Sequence, residues 1–399
     1  MSSHRSGPLT MTAAAVVAGR AVHRPGWITV EDGLVVAVGT GGAPSREATA
    51  GVSIIDFGDV VVVPGFVDMH VHGGGGGAFT SADPTEVERA VTTHRSHGTT
   101  AMCASLVSAQ PEPLAEQVAR LASFVELGDL LGIHLEGPWL APKRLGAHDP
   151  SSLRAPDPHE IRRLLDAARG TIRMVTIAPE LPGALDAIAL LREHGVVAAV
   201  GHTDATYDQT REAIRAGATV GTHLFNAMRP IKHREPGPVV ALMEDPNVVV
   251  ELIADGVHVH QAMLDQVRHW VGPERVALVT DAMAATGMPD GLYQLGTLDV
   301  TVADGVARLT GGNTIAGGTC TTDVLFRAAA GHPQQLDDLR LLEAVQMTSA
   351  VPLRALGLGH QDLSVGTPAD LVVLSPDLQV TTVLSQGEWV NDGRVTRAP

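Results

Sequence analysis

From Pro64 onward, short apolar runs alternate with longer stretches in which apolar residues recur every three or four positions. The first pattern is that of buried strands and the second that of amphipathic helices. Strands are predicted at Gly65–Val71, Thr99–Val107, Leu130–Leu135, Ile172–Ala178, Val196–Val200, Thr219–Leu224, Val248–Ile253 and Val276–Val279. Helices are predicted between them at Pro84–Ser96, Glu112–Val125, Pro158–Ala168, Ala184–His194, Asp208–Ala216 and Gln261–Trp270. Eight strands with intervening helices or crossovers give the count of a (β/α)8 TIM barrel, an α/β fold.

The ends of the chain read differently. Runs such as AAVVAG, GWITVEDG, LVVAVG, VSIIDFG and VVVV, broken by glycines, predict one antiparallel sheet before Pro64. A Gly-rich hairpin region follows at Leu292–Gly318, then helices at Thr322–Ala330 and Leu339–Leu356, then strands at Ala369–Leu374 and Val380–Val390. The two end regions are expected to pair into a small β-sandwich domain, residues 1–63 plus 359–399. The catalytic barrel then spans 64–358.

Within Pro64–Gly77 the run Phe66–His72 alternates apolar with ionisable residues, so His70 and His72 share one strand face. Neutral imidazoles suit Zn, Fe, Ni and Cu ions. Roughly one His-x-His pair is expected by chance among 18 histidines, and a second occurs at His258 and His260, so the pair means little alone. The glycines Gly73–Gly77 lack the Gly-Lys-Ser/Thr of a phosphate loop and read as a tight turn.

Barrel active sites gather at the C-terminal ends of the strands. There the sequence places His70 and His72, Glu136, His202, His223, His258 just after the seventh strand, and Asp281. Ionisable groups at six of eight ends, each after an apolar run, are not what core packing alone produces. Glu136, His202 and His223 make a three-ligand set with a position open for water. His70 and His72 could hold a second ion, with Glu136 as the bridge. The set predicts a divalent metal, Zn or Fe, one or two per subunit. A metal lowers the pKa of water, and Asp281 is the carboxylate that takes and passes on the proton.

Composition narrows the partners. A net charge of −16 with 28 Lys+Arg excludes a nucleic-acid surface and attraction to anionic membranes. An anionic substrate then needs a local cation, and Arg234 suits a phosphate; its bland alternative is an ion pair with Glu235. Lys143, Arg144, His94 and His97 are assigned to solvated or helix-packing roles. Cys103 and Cys320 read as buried free thiols, which fits a cytoplasmic location. No apolar run is long enough for a spanning helix. Met11 is an alternative start, which would make the first ten residues a dispensable tail.

The segments HLEGPW, GAH, GHTDA, THLFNAM, HREPG, ADGVHV and VTDAM carry a resemblance. The whole chain resembles the amidohydrolase superfamily and, within it, the N-acetylglucosamine-6-phosphate deacetylases. That resemblance implies a homodimer that hydrolyses the acetamide of a phosphorylated amino sugar. It carries the metal to Glu136, His202 and His223 and the acid/base role to Asp281. Substrate contacts carry to Ala147, His148, Asn226, Ala227, Arg234 and His258, and a substrate-facing loop to Ile315, Ala316 and Gly317. Either His148 or His258 polarises the acetyl carbonyl, and sequence leaves the choice open. Some members of the family lack the first-strand histidines and use one metal; their presence here favours two. A ring-opening amidohydrolase commonly has a carboxylated lysine where this chain has Glu136, and a non-catalytic barrel scaffold would have lost the ligands.

Overall fold

The structure, a computed structural model, describes residues 8–42, 52–333 and 336–390. Eight parallel strands form the barrel: Phe66–Val71, Thr99–Leu106, Gly132–Glu136, Ile172–Ile177, Val197–Val200, Ala218–Gly221, Val249–Leu252 and Val276–Leu278, hydrogen-bonded in sequence order. The seam between the last strand and the first is closed by a parallel bridge, Val71 to Ala282. The backbone N–H of Asp281 donates to His70 O (2.9 Å) and that of His72 to Ala282 O (2.7 Å).

Inward side chains from strands all around the barrel fill its lower half. Met69, Cys103, Met174, Ala199, Val220 and Ala277 make one apolar cluster, sealed below by Val351 and Leu356 from the C-terminal helical segment. A larger core lies between the strands and the surrounding helices, where the Phe66 and Phe326 rings meet at 5.2 Å between centroids. In the first strand the register slips between Asp68 and Val71, which oppose Met102 and Ala104. This bulge adds one residue, so Met69 joins the apolar lumen while the next residue, His70, also turns inward.

Each predicted helix but the last is present within one or two residues, including Pro84–Ser96, Pro158–Ala168 and Thr322–Ala330 to the residue. One barrel helix, Gly237–Glu244, was not foreseen, because GPVVALME is nearly apolar throughout and shows no polar face. The expected helix Leu339–Leu356 is three pieces, Asp338–Val345, a π-turn at Gln346–Ala350 and Val351–Ala355. The hairpin region forms a three-stranded sheet, Gly291–Leu295, Leu298–Ala303 and Val306–Leu309.

The single antiparallel N-terminal sheet is corrected to two mixed sheets. In one, Leu9–Ala13 pairs parallel to Ser53–Asp56 and antiparallel to Gly26–Glu31. In the other, Val61–Pro64 lies between Ala15–Ala18 and the C-terminal strand Leu371–Leu374. Met11, Ile28, Val62, Leu371 and Val373 share the core between these sheets. The dispensable-tail reading also fails where it can be checked: Leu9 and Thr10 are paired strand residues, and Thr10 is wholly buried. Residues 1–7, like 391–399 of the small domain, lie outside the described residues. No helix among the described residues is long and apolar enough to cross a membrane.

Phe326→Ala should destabilise the protein by about 3–5 kcal/mol, since a buried aromatic is lost and its cavity left behind. Urea unfolding should show a lower midpoint at unchanged slope; a midpoint shift near zero would mean that the helix Thr322–Ala330 does not anchor the barrel.

Candidate metal centre and substrate cavity

Glu136 ends the third barrel strand and is only 3% exposed. Its Oε1 lies 3.0 Å from His223 Nε2, 3.1 Å from His202 Nε2 and 3.6 Å from His70 Nε2. Its Oε2 lies 3.1 Å from His72 Nε2 and 3.4 Å from His148 Nε2. Asp281 Oδ1 is 3.1 Å from His72 Nε2 and 3.4 Å from His70 Nε2. The donor atoms fall into two groups that share Glu136: His70, His72 and Asp281 on one side, His148 and His202 on the other. His223 stands with the second, 3.2 Å from His202 Nε2.

The far nitrogen of each ring decides what the near one can do. His70 Nδ1 faces a Glu251 carboxylate oxygen (3.2 Å), His72 Nδ1 the carbonyl of Ser105 (3.2 Å) and His202 Nδ1 the carbonyl of Arg144 (2.8 Å). Those partners only accept, so Nδ1 carries the proton and, in a neutral ring, Nε2 offers a lone pair. His148 is the reverse. Its Nδ1 accepts from the backbone N–H of Ser108 (3.2 Å), so a neutral His148 carries its proton on Nε2 and is a donor rather than a ligand. His223 Nδ1 has no hydrogen-bond partner among the described residues.

This set fits a divalent cation. Ligands at about 2.0–2.1 Å in a tetrahedron stand roughly 3.3 Å apart, which is the spacing seen here among Nε2 and carboxylate atoms. Charge points the same way. Burial opposes every charge in the cluster, yet the imidazoles of His70 and His148 hold Glu136 well below the carboxylate range. Burial likewise opposes ionised Asp281, but His70 and His72 hold it down to about 2. His72 is driven to about 9 against its burial by Asp281 and Glu136. Burial pushes His148 down to about 4 in spite of Glu136, which keeps it neutral.

Local backbone aims these groups. His202 (φ 49°), His223 (φ 24°) and Asp281 (φ 50°) are left-handed although none is glycine. The strand expected through Leu224 ends at Gly221, and His223 sits on the turn beyond it. Gly146 is required opposite: a Cβ there would lie 2.7 Å from His202 Cε1, and its φ is +60°. Asp281 is held from behind by Asp68, on the outer side of the bulge. The Thr280 hydroxyl donates to Asp68 Oδ2 (2.6 Å), with the backbone N–H of Thr280 (3.2 Å) and the hydroxyl of Thr322 (3.4 Å) on the same oxygen. Burial raises Asp68 to about 7.

A cavity of about 550 Å³ opens above the cluster. Ala147, His148, Asn226, Ala227, His258, Ile315 and Gly317 line it, together with Lys143 and Arg144, which the sequence assigned to solvated roles. Arg144 is there because Asp204 grips its guanidinium at 2.7 and 2.9 Å, which also places the carbonyl that holds His202. His258 Nδ1 is 2.7 Å from Asp255; burial would lower His258, but that contact raises it. Two expected residues are elsewhere. Ala316 is fully buried in the core beneath the three-stranded sheet. Arg234 is exposed and outside the cavity, and the Glu235 ion pair foreseen for it is made instead by Arg229 and Lys232. His94 packs in its helix with Nε2 on Gly73 O (3.0 Å), and the glycine run is a hairpin turning at Gly75 and Gly76. Cys103 is buried and Cys320 partly so, both free.

Sequence reasoning missed Asp68 and Glu251. Glu251 had a signal, a lone charge inside the apolar run VVVELI. Asp68 stood in a similar run, FVDMHV, but the bulge hides that it and His70 serve opposite sides of the strand.

A profile of the amidohydrolase family matches residues 61–390. The chain is 56% identical to N-acetyl-D-glucosamine-6-phosphate deacetylase from Mycobacterium smegmatis, solved as an Asp-to-Ala mutant in complex with N-acetyl-D-glucosamine-6-phosphate; the TM-score is 0.93, covering 96% of this chain and 100% of that one. It is 35% identical over 387 residues, 94% of each chain, to N-acetylglucosamine-6-phosphate deacetylase of Vibrio furnissii. It is also 35% identical to N-acetylgalactosamine-6-phosphate deacetylase of Escherichia coli O157:H7, over 84% of this chain and 89% of that one.

Proposed function

The chain belongs to the amidohydrolase family, and on that footing we propose that it hydrolyses N-acetyl-D-glucosamine 6-phosphate to D-glucosamine 6-phosphate and acetate. The observation that carries this reading is the donor set around Glu136 at the floor of a 550 Å³ cavity, in a chain 56% identical to one crystallised with that sugar. A bound divalent cation, Zn or Fe, would supply Lewis-acid polarisation of the acetamide carbonyl and a lower pKa for the attacking water. Glu136, His202 and His223 would hold one ion, and His70 and His72 a second that shares Glu136.

The chain's own groups do the rest. Asp281, ionised at neutral pH and beside the cluster, takes a proton from the attacking water. It passes that proton to the sugar nitrogen as the C–N bond breaks, so that the amine leaves neutral. His148, neutral with its proton on Nε2, donates to the carbonyl oxygen as negative charge grows there. This assigns the polarising role to His148 rather than His258. His258, its Nδ1 occupied by Asp255, presents Nε2 to the sugar or its phosphate.

Arg234 remains our phosphate clamp, but it does not reach the cavity of its own chain. It would serve from a second copy, and a homodimer is therefore part of this reading. The two free thiols fit a cytoplasmic setting.

With Zn2+ or Fe2+ supplied, the protein should release acetate from N-acetylglucosamine 6-phosphate faster than from its 4-epimer, N-acetylgalactosamine 6-phosphate. Release from neither sugar by folded, metal-loaded protein removes the reading; a preference for the epimer changes the substrate.

Asp281→Asn should keep the fold and the ion held by Glu136, His202 and His223 while kcat falls by about 10² or more. Near-normal turnover in a metal-replete mutant removes Asp281 from proton transfer.

Arg234→Ala should cost roughly 10- to 150-fold in kcat/KM for the phosphorylated sugar, the value of a charge-assisted contact of about 1.5–3 kcal/mol. Unphosphorylated N-acetylglucosamine should be unaffected. An equal loss for both sugars would show that Arg234 supports structure and that the phosphate is held elsewhere.

A further inference from the structure

One buried carboxylate takes no part in the proposed reaction and yet touches both halves of the centre. Glu251 lies within the seventh strand, Val249–Leu252, and is wholly buried. Its Oε2 is 3.2 Å from His70 Nδ1 and 3.0 Å from the backbone N–H of His223. Its Oε1 has no hydrogen-bond partner among the described residues. No lysine or arginine among the described residues forms an ion pair with it.

Burying a carboxylate with one oxygen unsatisfied is costly, and a valine would suit the strand better. Among the described residues, the ion-pair partner of Glu251 is the ring of His70. That ring has its other nitrogen 3.6 Å from Glu136 and 3.4 Å from Asp281. A carboxylate behind a ligating imidazole fixes the ring's tautomer and orientation and makes the near nitrogen a better donor.

We propose that Glu251 is the positioning residue for a second metal ion, holding His70 so that its Nε2, with His72, Glu136 and Asp281, forms that ion's site. The same oxygen, by accepting from the backbone of His223, fixes the separation between this site and the one at His202 and His223. Glu251 therefore sets how many ions the protein binds. This deepens the reading that His70 and His72 hold an ion, and it rests on that reading.

Metal-free protein, prepared by chelation, is titrated with Zn2+ against a competing chelator for wild type, Glu251→Gln, Glu251→Asp and the double variant His70→Asn/His72→Asn. Wild type should bind two ions, and the double variant should identify which step belongs to the first-strand pair. Glu251→Gln keeps the shape and removes the charge; it should weaken that step alone by about 10- to 100-fold. Glu251→Asp keeps the charge but withdraws it from His70 and should weaken the same step. Absorption of the Co2+-substituted protein should lose the component that the double variant also lacks. Two ions bound at wild-type affinities in both Glu251 variants would overturn the proposal while leaving the two-ion reading intact, as would equal weakening of both steps. A wild type that binds a single ion would overturn both.

Discussion

A single carboxylate facing five imidazoles is the constraint from which the upper half of this barrel follows. Glu136 is buried, so its charge must be met by groups at contact distance, and the barrel supplies them from the first, fifth and sixth strand ends and from the loop that carries His148. Four of the five rings, all but His223, have a partner behind them among the described residues. Those partners are Glu251, the carbonyls of Ser105 and Arg144, and the backbone N–H of Ser108. The lumen is thus split across its height: a polar layer above, in which almost every proton is committed, and an apolar plug below.

The geometry is held at a cost in backbone strain. Of the eleven non-glycine residues with positive φ among those described, His202, His223, Phe225, Ala227 and Asp281 lie in or beside the site. Left-handed backbone at such residues costs on the order of 1–3 kcal/mol each and persists where surrounding contacts over-determine it. Here the contacts can be named. Arg144 O fixes the His202 ring, Glu251 fixes the His223 N–H, and Asp68 fixes Thr280, whose hydroxyl in turn accepts from Ala282 N–H on the far side of Asp281.

The barrel was legible in the sequence because buried strands and amphipathic helices have different periods, and every barrel strand shows that contrast. The ligand-bearing strand ends were legible for a related reason, since an ionisable residue closing an apolar run is conspicuous. What escaped depended on facts that no local pattern encodes. Gly237–Glu244 is a helix without a polar face. The bulge in the first strand moves Asp68 out of the row it shares with His72. Ala316 lies beside two cavity-lining residues, but its own side chain turns into the core beneath the hairpin sheet. Arg144 reads as a solvent-facing charge until Asp204 is brought to it from 60 residues further along the chain.

The sheet that carries Val61–Pro64 bears on how the chain is made. This strand, four buried residues long, pairs on one side with Ala15 and Val16 and on the other with Leu371–Leu374. During synthesis the first side can zip almost at once, whereas the second must wait until the rest of the barrel has left the ribosome. Throughout that interval an apolar strand edge directly ahead of the first barrel strand is open, the kind of edge that recruits foreign strands. The N-terminal sheet therefore needs shielding while it is nascent, and the ladder that joins the two ends of the chain can form only once Leu371–Leu374 has emerged.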